Sequence, residues 1–177
     1  MFYISKYNSP IGGITLASNG AELTGLWFDG QKYFADTLPK EYQKKDLPVF
    51  EQTKKWLDIY FSGKAPDFTP PLMFIGISQF RKRVWEVMLN IPFGQTSTYG
   101  KIAKQIGTET GKKVSPQAVG GAVGHNSISL IIPCHRVVGT NGSFTGYAGG
   151  INKKIELLKM EGVDISKLTI PKKGTAL

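Results

Sequence analysis

The C-terminal half of this 177-residue chain takes its fold from the stretch SPQAVGGAVG, residues 115–124. Serine is a favoured N-cap and proline is favoured at the first helical position, so Ser115 and Pro116 predict the start of a helix. The pattern predicts that this helix runs to about Val123 and stops at Gly124. Val119 and Val123 share one face of it, which is the face expected to be buried.

The opposite face of the predicted helix carries almost no side-chain volume, since it presents Gln117, Ala118 and Gly121. Glycine costs about 1 kcal/mol relative to alanine inside a helix, so Gly120 and Gly121 indicate a close approach to the backbone. Two interpretations are open: tight packing against another helix of the same chain, or docking of another molecule.

The residues before this stretch predict two further helices. Thr98 is a suitable cap for a short helix that ends before Gly107, and an earlier helix carries an apolar face at helical spacing. The two helices on either side of the Gly-containing turn match a helix-turn-helix. Gln117 excepted, the second of them lacks the Arg, Asn or Gln array that reads base edges in the major groove. Such a motif enters DNA without reading its sequence.

The N-terminal part predicts a small α/β domain. Strand-like alternation covers residues 2–7, 14–18 and 23–28, and turn residues between them favour three antiparallel strands. A helix follows, with apolar residues at helical spacing from Val49 to Tyr60 and a stop at Ser62-Gly63. A linker is expected at Pro66, Pro70 and Pro71. We therefore predict an α+β chain with domains at 1–75 and 76–162 and a basic tail at 163–177.

The net positive charge is confined to the C-terminal part. Residues 1–75 hold 8 Lys+Arg and 8 Asp+Glu, whereas residues 76–177 hold 14 and 5, which accounts for the whole net charge of +9. In the tail, Lys167, Lys172 and Lys173 are expected to form only a solvated face. The remaining basic residues are scattered over several segments, so a nucleic acid is a better partner than a membrane surface.

The single cysteine, Cys134, lies in IIPCHRVV, residues 131–138. A free cysteine usually behaves as a small buried hydrophobe. Here, however, a proline ends the apolar run, and His135 and Arg136 follow directly. Such neighbours are expected to lower the pKa of a thiol and to make it a nucleophile.

Composition excludes other kinds of site. One cysteine rules out an intramolecular disulfide, and two histidines, His125 and His135, provide no zinc-ligand spacing. We expect neither a metal nor a cofactor. The first residues have no basic region followed by an apolar stretch, and no run reaches membrane-spanning length, which predicts an intracellular protein.

Four segments together resemble the O6-alkylguanine-DNA alkyltransferases, also called methylated-DNA–protein-cysteine methyltransferases. They are PCHRV at 133–137, GYAGG at 146–150, AVG at 118–120 and EG at 161–162. The resemblance covers about residues 78–162 and is weak for 1–75. It implies a ribonuclease-H-like N-terminal domain and a helical, winged helix-turn-helix C-terminal domain.

The resemblance also implies a chemistry. Cys134 would take the alkyl group from O6 of guanine once and keep it as a thioether. His135 would activate the thiol through a water, oriented by Glu161. Asn126 would be a structural hinge and Tyr99 a proton donor to the departing guanine. The remaining implied roles are assistance near the cysteine by Lys154, and binding of the base edge by Val137, Tyr147, Ala148 and Gly149.

The implied partner is double-stranded DNA with an alkylated guanine, or with an alkylated thymine, whose nucleotide is flipped out of the stack. Ala118, Gly120 and Gly121 would lie in the minor groove, and basic residues, Arg136 among them, would meet the phosphates. The family has an arginine where this chain has Gln117, a shorter and uncharged side chain. We expect a monomer in the cytoplasm, or in the nucleus of a eukaryote.

Three other functions share some of these residues. A damage sensor binds alkylated bases without transfer, but it would have lost the cysteine. A Cys-His hydrolase would use Cys134, His135 and Glu161 equally well, but the basic helix-turn-helix would be unexplained. A regulator that senses oxidants through Cys134 would bind a specific DNA sequence and form a reversible sulfenic acid.

Overall fold

The computed structural model describes residues 1–144 and 146–170. It divides the chain into a first unit, Met1–Gly76 with Ser127–Ile131, and a second unit, Ile77–Asn126 with the chain from Ile132 onward. The segment Ser127–Ile131 lies within the predicted 76–162 domain, yet it belongs to the first unit. Backbone hydrogen bonds hold this segment in the first unit: Ser127 O accepts from Leu26 N at 2.8 Å, and Ser129 N donates to Leu26 O at 2.9 Å.

The first unit is built on a sheet of strand order β3-β2-β1-β4. The three predicted antiparallel strands are confirmed as β1 (Phe2–Ser9), β2 (Gly12–Ser18) and β3 (Leu23–Phe28). The expectation of three strands was incomplete, because β4 (Tyr42–Lys44) pairs in parallel with β1. All three residues of β4 are exposed, so no alternation of buried and exposed positions marks it in the sequence.

Helix α1 (Pro48–Phe61) confirms the helix predicted after the strands. Pro48 stands at its start, where a missing N–H costs nothing. Its apolar face is buried, with Phe50 and Leu57 fully so, and forms part of the core of this unit. No helix in the described ranges is long and apolar enough to cross a bilayer; α1 itself has 14 residues.

The second unit is mainly helical. It contains α2 (Gln79–Leu89), β5 (Ser97–Thr98), α3 (Tyr99–Thr110), α4 (Pro116–Gly124), β6 (Val137–Val138) and α5 (Ile151–Met160). Strands β5 and β6 pair in parallel. The predicted caps are present, since Thr98 and Ser115 each accept a backbone N–H of the following turn. Trp85 Nε1 donates to Ala122 O at 2.9 Å and so joins α2 to α4.

Helix α3 is longer than the sequence predicted. It continues through Gly107 to Thr110, and Gly111, with a φ of 66°, ends it. A Cβ on Gly107 would lie 3.0 Å from Lys112 O. The glycine therefore makes room for the turn into α4 and does not stop the helix.

Part of the predicted tail 163–177 is folded. Residues Ile165–Lys167 form a short 3-10 helix, and Phe144 N donates to Thr169 O at 2.8 Å. The expected solvated lysines Lys172 and Lys173 lie outside the described residues.

Candidate active site around Cys134

Two short-range backbone hydrogen bonds, one on each side of Cys134, set the position of the thiol. Cys134 N donates to Ile132 O at 2.8 Å across Pro133, whose φ of −82° and ψ of 66° suit a tight inverse turn. A 3-10 helix, Cys134–Arg136, begins at once, and Arg136 N donates to Pro133 O at 3.0 Å. Cys134 is 4% exposed, so its sulfur meets solvent only slightly.

Asn126 connects the end of α4 to the cysteine. Its backbone N–H donates to Val123 O at 3.2 Å. Its side-chain Nδ2 donates to Ile132 O at 2.8 Å and to Cys134 Sγ at 3.2 Å. An amide that donates to sulfur stabilises the thiolate, so the residue expected to be a hinge also contacts the reactive atom directly.

Burial raises the pKa of the Cys134 thiol. The hydrogen bond from Asn126 and the charge of Lys154 lower it, but burial has the larger effect. The expectation that His135 and Arg136 would lower the pKa is therefore wrong in its net direction. The raised pKa favours the protonated thiol, so a nucleophilic role for Cys134 would require a base that takes its proton.

His135 and Glu161 form the pair that can supply this base. His135 Nε2 and Glu161 Oε1 are 2.6 Å apart, and both side chains are fully buried. Burial lowers the pKa of His135, against the opposing effect of Glu161, so the imidazole is neutral. The carboxylate can only accept, so Nε2 carries the proton and Nδ1 is the basic nitrogen of the ring.

Glu161 is held as an anion although it is buried. Burial raises its pKa, but hydrogen bonds from His135 and Arg136 outweigh this and lower the pKa to about 2. Arg136 Nε donates to Oε2 at 2.9 Å, and Nη2 donates to Oε1 at 3.0 Å. Gly94 N donates to Oε2 at 3.0 Å.

Arg136 therefore does not have the role expected from sequence, which was a contact to DNA phosphates. It is 8% exposed, and its third nitrogen, Nη1, donates to Ile91 O at 2.7 Å. The guanidinium also lies 5.8 Å from the centre of the Phe93 ring. Its charge is used within the protein to fix Glu161, because an unpaired buried carboxylate would be costly.

Lys154 is fully buried on α5, and its Nζ donates to the carbonyl of Val137. Burial lowers the pKa of Lys154 to about 8, and a thiolate at Cys134 would raise it. Lys154 is thus near enough to Cys134 to stabilise a thiolate, and its assistance to the cysteine stays a prediction. The bond also orients the Val137 carbonyl, which belongs to the predicted base-binding set.

Tyr99, at the start of α3, lies near two glycines, Gly120 and Gly146. A Cβ on Gly146 would be 3.0 Å from the Tyr99 hydroxyl, and Gly146 has a φ of 70° that favours glycine. A Cβ on Gly120 would be 3.9 Å from the Tyr99 ring, an ordinary contact.

Tyr147 is buried beside His135. Its ring centre lies 6.4 Å from that of His135, edge to face. Its hydroxyl is buried and makes no hydrogen bond to any described residue. Burial raises the pKa of Tyr147, with smaller contributions from Cys134 and Glu161, so the phenol stays neutral. Ala148 and Gly149, the other members of the predicted base-binding loop, are half-buried.

The outer face of α4 is open. Gln117, Ala118 and Gly121 are exposed, and within the described part of the chain no atom lies within 4 Å of a Cβ on Gly121. Packing within the described protein therefore does not require this glycine. Of the two interpretations of the small-residue face, docking of another molecule is the one that the geometry favours.

Sequence reasoning missed the groups that hold Glu161 and Arg136, namely Gly94 N and Ile91 O. Both lie in the loop after α2, and Gly94 has a φ of 78°. A glycine before a strand is a weak signal, since only the fold brings it to Glu161. As for a metal, the described residues contain no group of three or more His, Cys, Asp or Glu that could hold one.

Comparisons with known proteins agree with this geometry. Residues 2–74 match the ribonuclease-like domain of 6-O-methylguanine DNA methyltransferase, and residues 79–163 match its DNA binding domain. A methylated-DNA–protein-cysteine methyltransferase of Mycobacterium tuberculosis is 41% identical, over 91% of this chain and 93% of that protein. One from Haemophilus influenzae is 36% identical, over 91% and 87%. The crystal structure of M. tuberculosis OGT in complex with DNA superposes with a TM-score of 0.79 at 40% identity, over 94% of each chain.

Proposed function

The chain belongs to the O6-methylguanine DNA methyltransferase family, and we propose that it repairs DNA by moving an alkyl group from O6 of guanine to Cys134. The observation that carries this is the buried Cys134 thiol, which accepts a hydrogen bond from Asn126. It lies next in sequence to His135, whose Nε2 is 2.6 Å from Glu161 Oε1. The relatives named above are methylated-DNA–protein-cysteine methyltransferases, and DNA alkyl repair is the function of this chain.

The transfer is a displacement at carbon. The thiol proton passes to Nδ1 of neutral His135, through a bridging water. The sulfur then forms a bond to the alkyl carbon while the bond from that carbon to O6 breaks, and the electron pair goes to the guanine. Glu161 stabilises the imidazolium that forms, and Asn126 and Lys154 stabilise the thiolate. The thioether is stable, so each molecule reacts once.

Guanine leaves more readily when its developing negative charge is neutralised. We assign this step to Tyr99, whose hydroxyl donates a proton toward the departing ring. Support comes from the position of the Tyr99 hydroxyl, which lies so close to Gly146, directly before the loop Tyr147–Gly149, that a Cβ on Gly146 would be 3.0 Å from it. The proton taken from Cys134 is thereby balanced by one delivered to guanine.

We assign binding of the edge of the flipped base to backbone groups of Cys134 and Val137 and to the loop Tyr147–Gly149. Lys154 orients the Val137 carbonyl. The Tyr147 hydroxyl, buried and without a partner among the described residues, is available to a bound base. An alkylated thymine would meet the same groups.

A base inside a duplex hides its O6 substituent, so the nucleotide must be extruded at a cost of a few kcal/mol. We assign docking to the outer face of α4, laid in the minor groove. Gln117, Ala118 and Gly121 are exposed there and bulky side chains are absent from that face, which permits close approach of the duplex. Lysines elsewhere in the second unit would meet phosphates without sequence preference.

The proposed working form is a monomer in the compartment that holds the DNA, the cytoplasm of a cell without a nucleus. All the assigned groups come from one chain and one unit, which supports action without a second copy.

The test is the intact mass of the protein after incubation with a duplex that contains O6-methylguanine. We expect an increase of one CH2 per protein, on the peptide that contains Cys134, with no second turnover. Cys134→Ser with the same duplex, and wild type with unmethylated duplex, should show no increase.

Other outcomes point to the alternatives. Tight binding without a mass increase would indicate a damage sensor. Repeated turnover on an ester substrate would indicate a hydrolase. A reversible sulfenic acid at Cys134 together with sequence-specific binding would indicate a redox regulator.

A further inference from the structure

A groove of about 690 Å³ lies in the second unit, away from Cys134. It is bordered by the start of α2, the end of α3 and the turn into α4, and its floor is apolar: Phe80, Ile106, Val114 and Ala118. Pockets of about 300–1,000 Å³ accommodate large side chains or small ligands. Ala118 also belongs to the outer face of α4 that is assigned to DNA docking, whereas Phe80, Ile106 and Val114 take no part in the steps assigned to the alkyl transfer.

The rim of the groove is cationic. Its lining contains Arg83, Lys112 and Lys113 and no Asp or Glu. Arg83 is already neutralised, because it donates to both oxygens of Glu109 at 2.7 Å. Lys112 and Lys113 are exposed and form no ion pair with any described residue. The two lysines therefore leave an uncompensated positive charge beside an apolar floor.

We propose that this groove binds an acidic peptide segment of another protein that carries large apolar side chains. The apolar side chains would fill the floor, and the carboxylates between them would meet Lys112 and Lys113. Both features of the groove are then used, and the apolar area removed from water provides affinity that charge alone does not.

Duplex DNA would use only one of these features. Phosphates would pair with the two lysines, but a sugar-phosphate backbone offers nothing large and apolar to cover Phe80, Ile106 and Val114. The combination of floor and rim therefore favours the peptide.

The probe is a fluorescein-labelled peptide in which Asp alternates with Phe, titrated with the full chain and followed by fluorescence anisotropy. We expect saturable binding. A peptide with Ser for Phe, and one with Asn for Asp, should each bind at least about tenfold more weakly, because one loses the buried rings and the other the charges.

Thr110→Trp tests the groove itself. Thr110 is exposed at the end of α3 and lines the groove, so a tryptophan there would occupy its mouth without removing core volume. We expect at least a tenfold loss of peptide affinity, about 1.4 kcal/mol. Thr108→Trp is the matched control, since Thr108 is exposed on the same helix and does not line the groove. Transfer to Cys134 should be unchanged in both.

A second pair of variants tests the rim. The double variant Lys112→Glu/Lys113→Glu should bind the peptide more weakly than the double variant Lys40→Glu/Lys64→Glu. The second pair makes the same change in net charge at exposed lysines of the first unit.

Four results would overturn the proposal. If the Ser-for-Phe peptide binds as tightly as the Phe peptide, charge alone accounts for the attraction. If Thr110→Trp and Thr108→Trp bind the Phe peptide with equal affinity, the peptide does not use the groove. Self-association of the protein that Thr110→Trp abolishes would assign the groove to a second copy. A loss of duplex affinity as large as the loss of peptide affinity would assign it to DNA.

Discussion

At the scale of single residues, one carboxylate organises the site. Glu161 accepts hydrogen bonds from His135, Arg136 and Gly94, and this set keeps it ionised while it is buried. Its negative charge fixes the tautomer of His135, and the neutral ring can then accept the proton of a thiol whose own pKa is raised. Proton transfer to His135 is therefore coupled to the attack of Cys134, and a free thiolate is not present at rest.

Arg136→Ala should destabilise the protein by about 3–5 kcal/mol, because it leaves Glu161 buried without its cation. Its affinity for unmethylated duplex should stay close to wild type, since the guanidinium is buried. Urea denaturation and anisotropy titration measure the two effects. Lys104→Ala, at an exposed lysine, should change stability by only about 0.5 kcal/mol. A stable Arg136→Ala variant that has lost DNA affinity would restore the phosphate-contact role.

Glu161 should also make stability depend on pH. Its pKa is about 2 in the folded protein, against an ordinary value of 4.5. Between these values the unfolded chain binds the proton first, so the stabilisation from Glu161 is complete above pH 4.5 and is lost as pH falls toward 2. Urea midpoints across this range should fall less steeply for Glu161→Gln than for wild type. Equal slopes in the two proteins would contradict the assigned ion pairs. Glu156→Gln, at an exposed carboxylate, is the control.

Gln117→Arg should strengthen duplex binding. Position 117 is exposed on the first turn of α4, so the longer guanidinium can stack in the space that the flipped base leaves. A cation over an aromatic face is worth about 0.5–1 kcal/mol at an exposed site, which is a two- to fivefold gain in affinity. Anisotropy titration and the single-turnover rate measure it. Unchanged affinity and rate would show that α4 does not present this side chain to the stack.

At the scale of elements, α4 combines weak helix-forming residues with an exposed outer face. A Cβ added to Gly121 would meet no atom of the described chain within 4 Å. A Cβ added to Gly107 on α3 would lie 3.0 Å from Lys112 O. The first glycine is free of constraints within the protein, and the second is required by the turn between the two helices. The proposed docking of DNA on α4 therefore offers a reason for Gly121, and Gly107 needs none beyond the turn.

Gly121→Ala should therefore raise stability by up to about 1 kcal/mol and lower duplex affinity. The added methyl improves the helix but stands on the face that docks. Gly107→Ala should show no such gain in stability, because the methyl would press on Lys112 O. Thermal denaturation and duplex titration of both variants test this. Undiminished duplex affinity in Gly121→Ala, and still more in Gly121→Leu, would remove α4 from the interface.

At the scale of the whole molecule, the chain crosses between units directly before its reactive residue. Ser127–Ile131 belongs to the first unit, and Ile132 returns to the second. Ile128 and Leu130 are fully buried. The ribonuclease-like part therefore completes the fold of the segment that leads to Cys134, a role the sequence did not suggest for it.

A fragment that begins at residue 77 should lose transfer activity although it contains every assigned site residue. Without β3, Ser127 and Ser129 lose their backbone partners at Leu26, and Ile128 and Leu130 become exposed. Intact mass after incubation with methylated duplex measures transfer, and hydrogen exchange measures protection at residues 127–134. Adding residues 1–76 as a separate chain should restore part of both. Full activity of the fragment alone would show that the first unit is dispensable.

The sequence by itself determined the elements and the chemistry of the site. Caps, glycines and apolar periodicity are local signals, so the three long strands and the helices followed from them. The short strands β4, β5 and β6 were not predicted, and the end of α3 and the unit of Ser127–Ile131 were predicted wrongly. The motif around Cys134 identified the family and predicted the nucleophile, because that combination of residue types is specific.

Only the tertiary structure decided how the charges are used. Arg136 follows Cys134 by two positions, and the sequence predicted that it would lower the pKa of the thiol and contact DNA phosphates. Instead it is paired with Glu161, 25 residues further along the chain. The net direction of the Cys134 pKa followed from burial, which depends on how distant segments pack. Partners far apart in sequence, and the loss of solvent around them, have no local signature, so these properties required the fold.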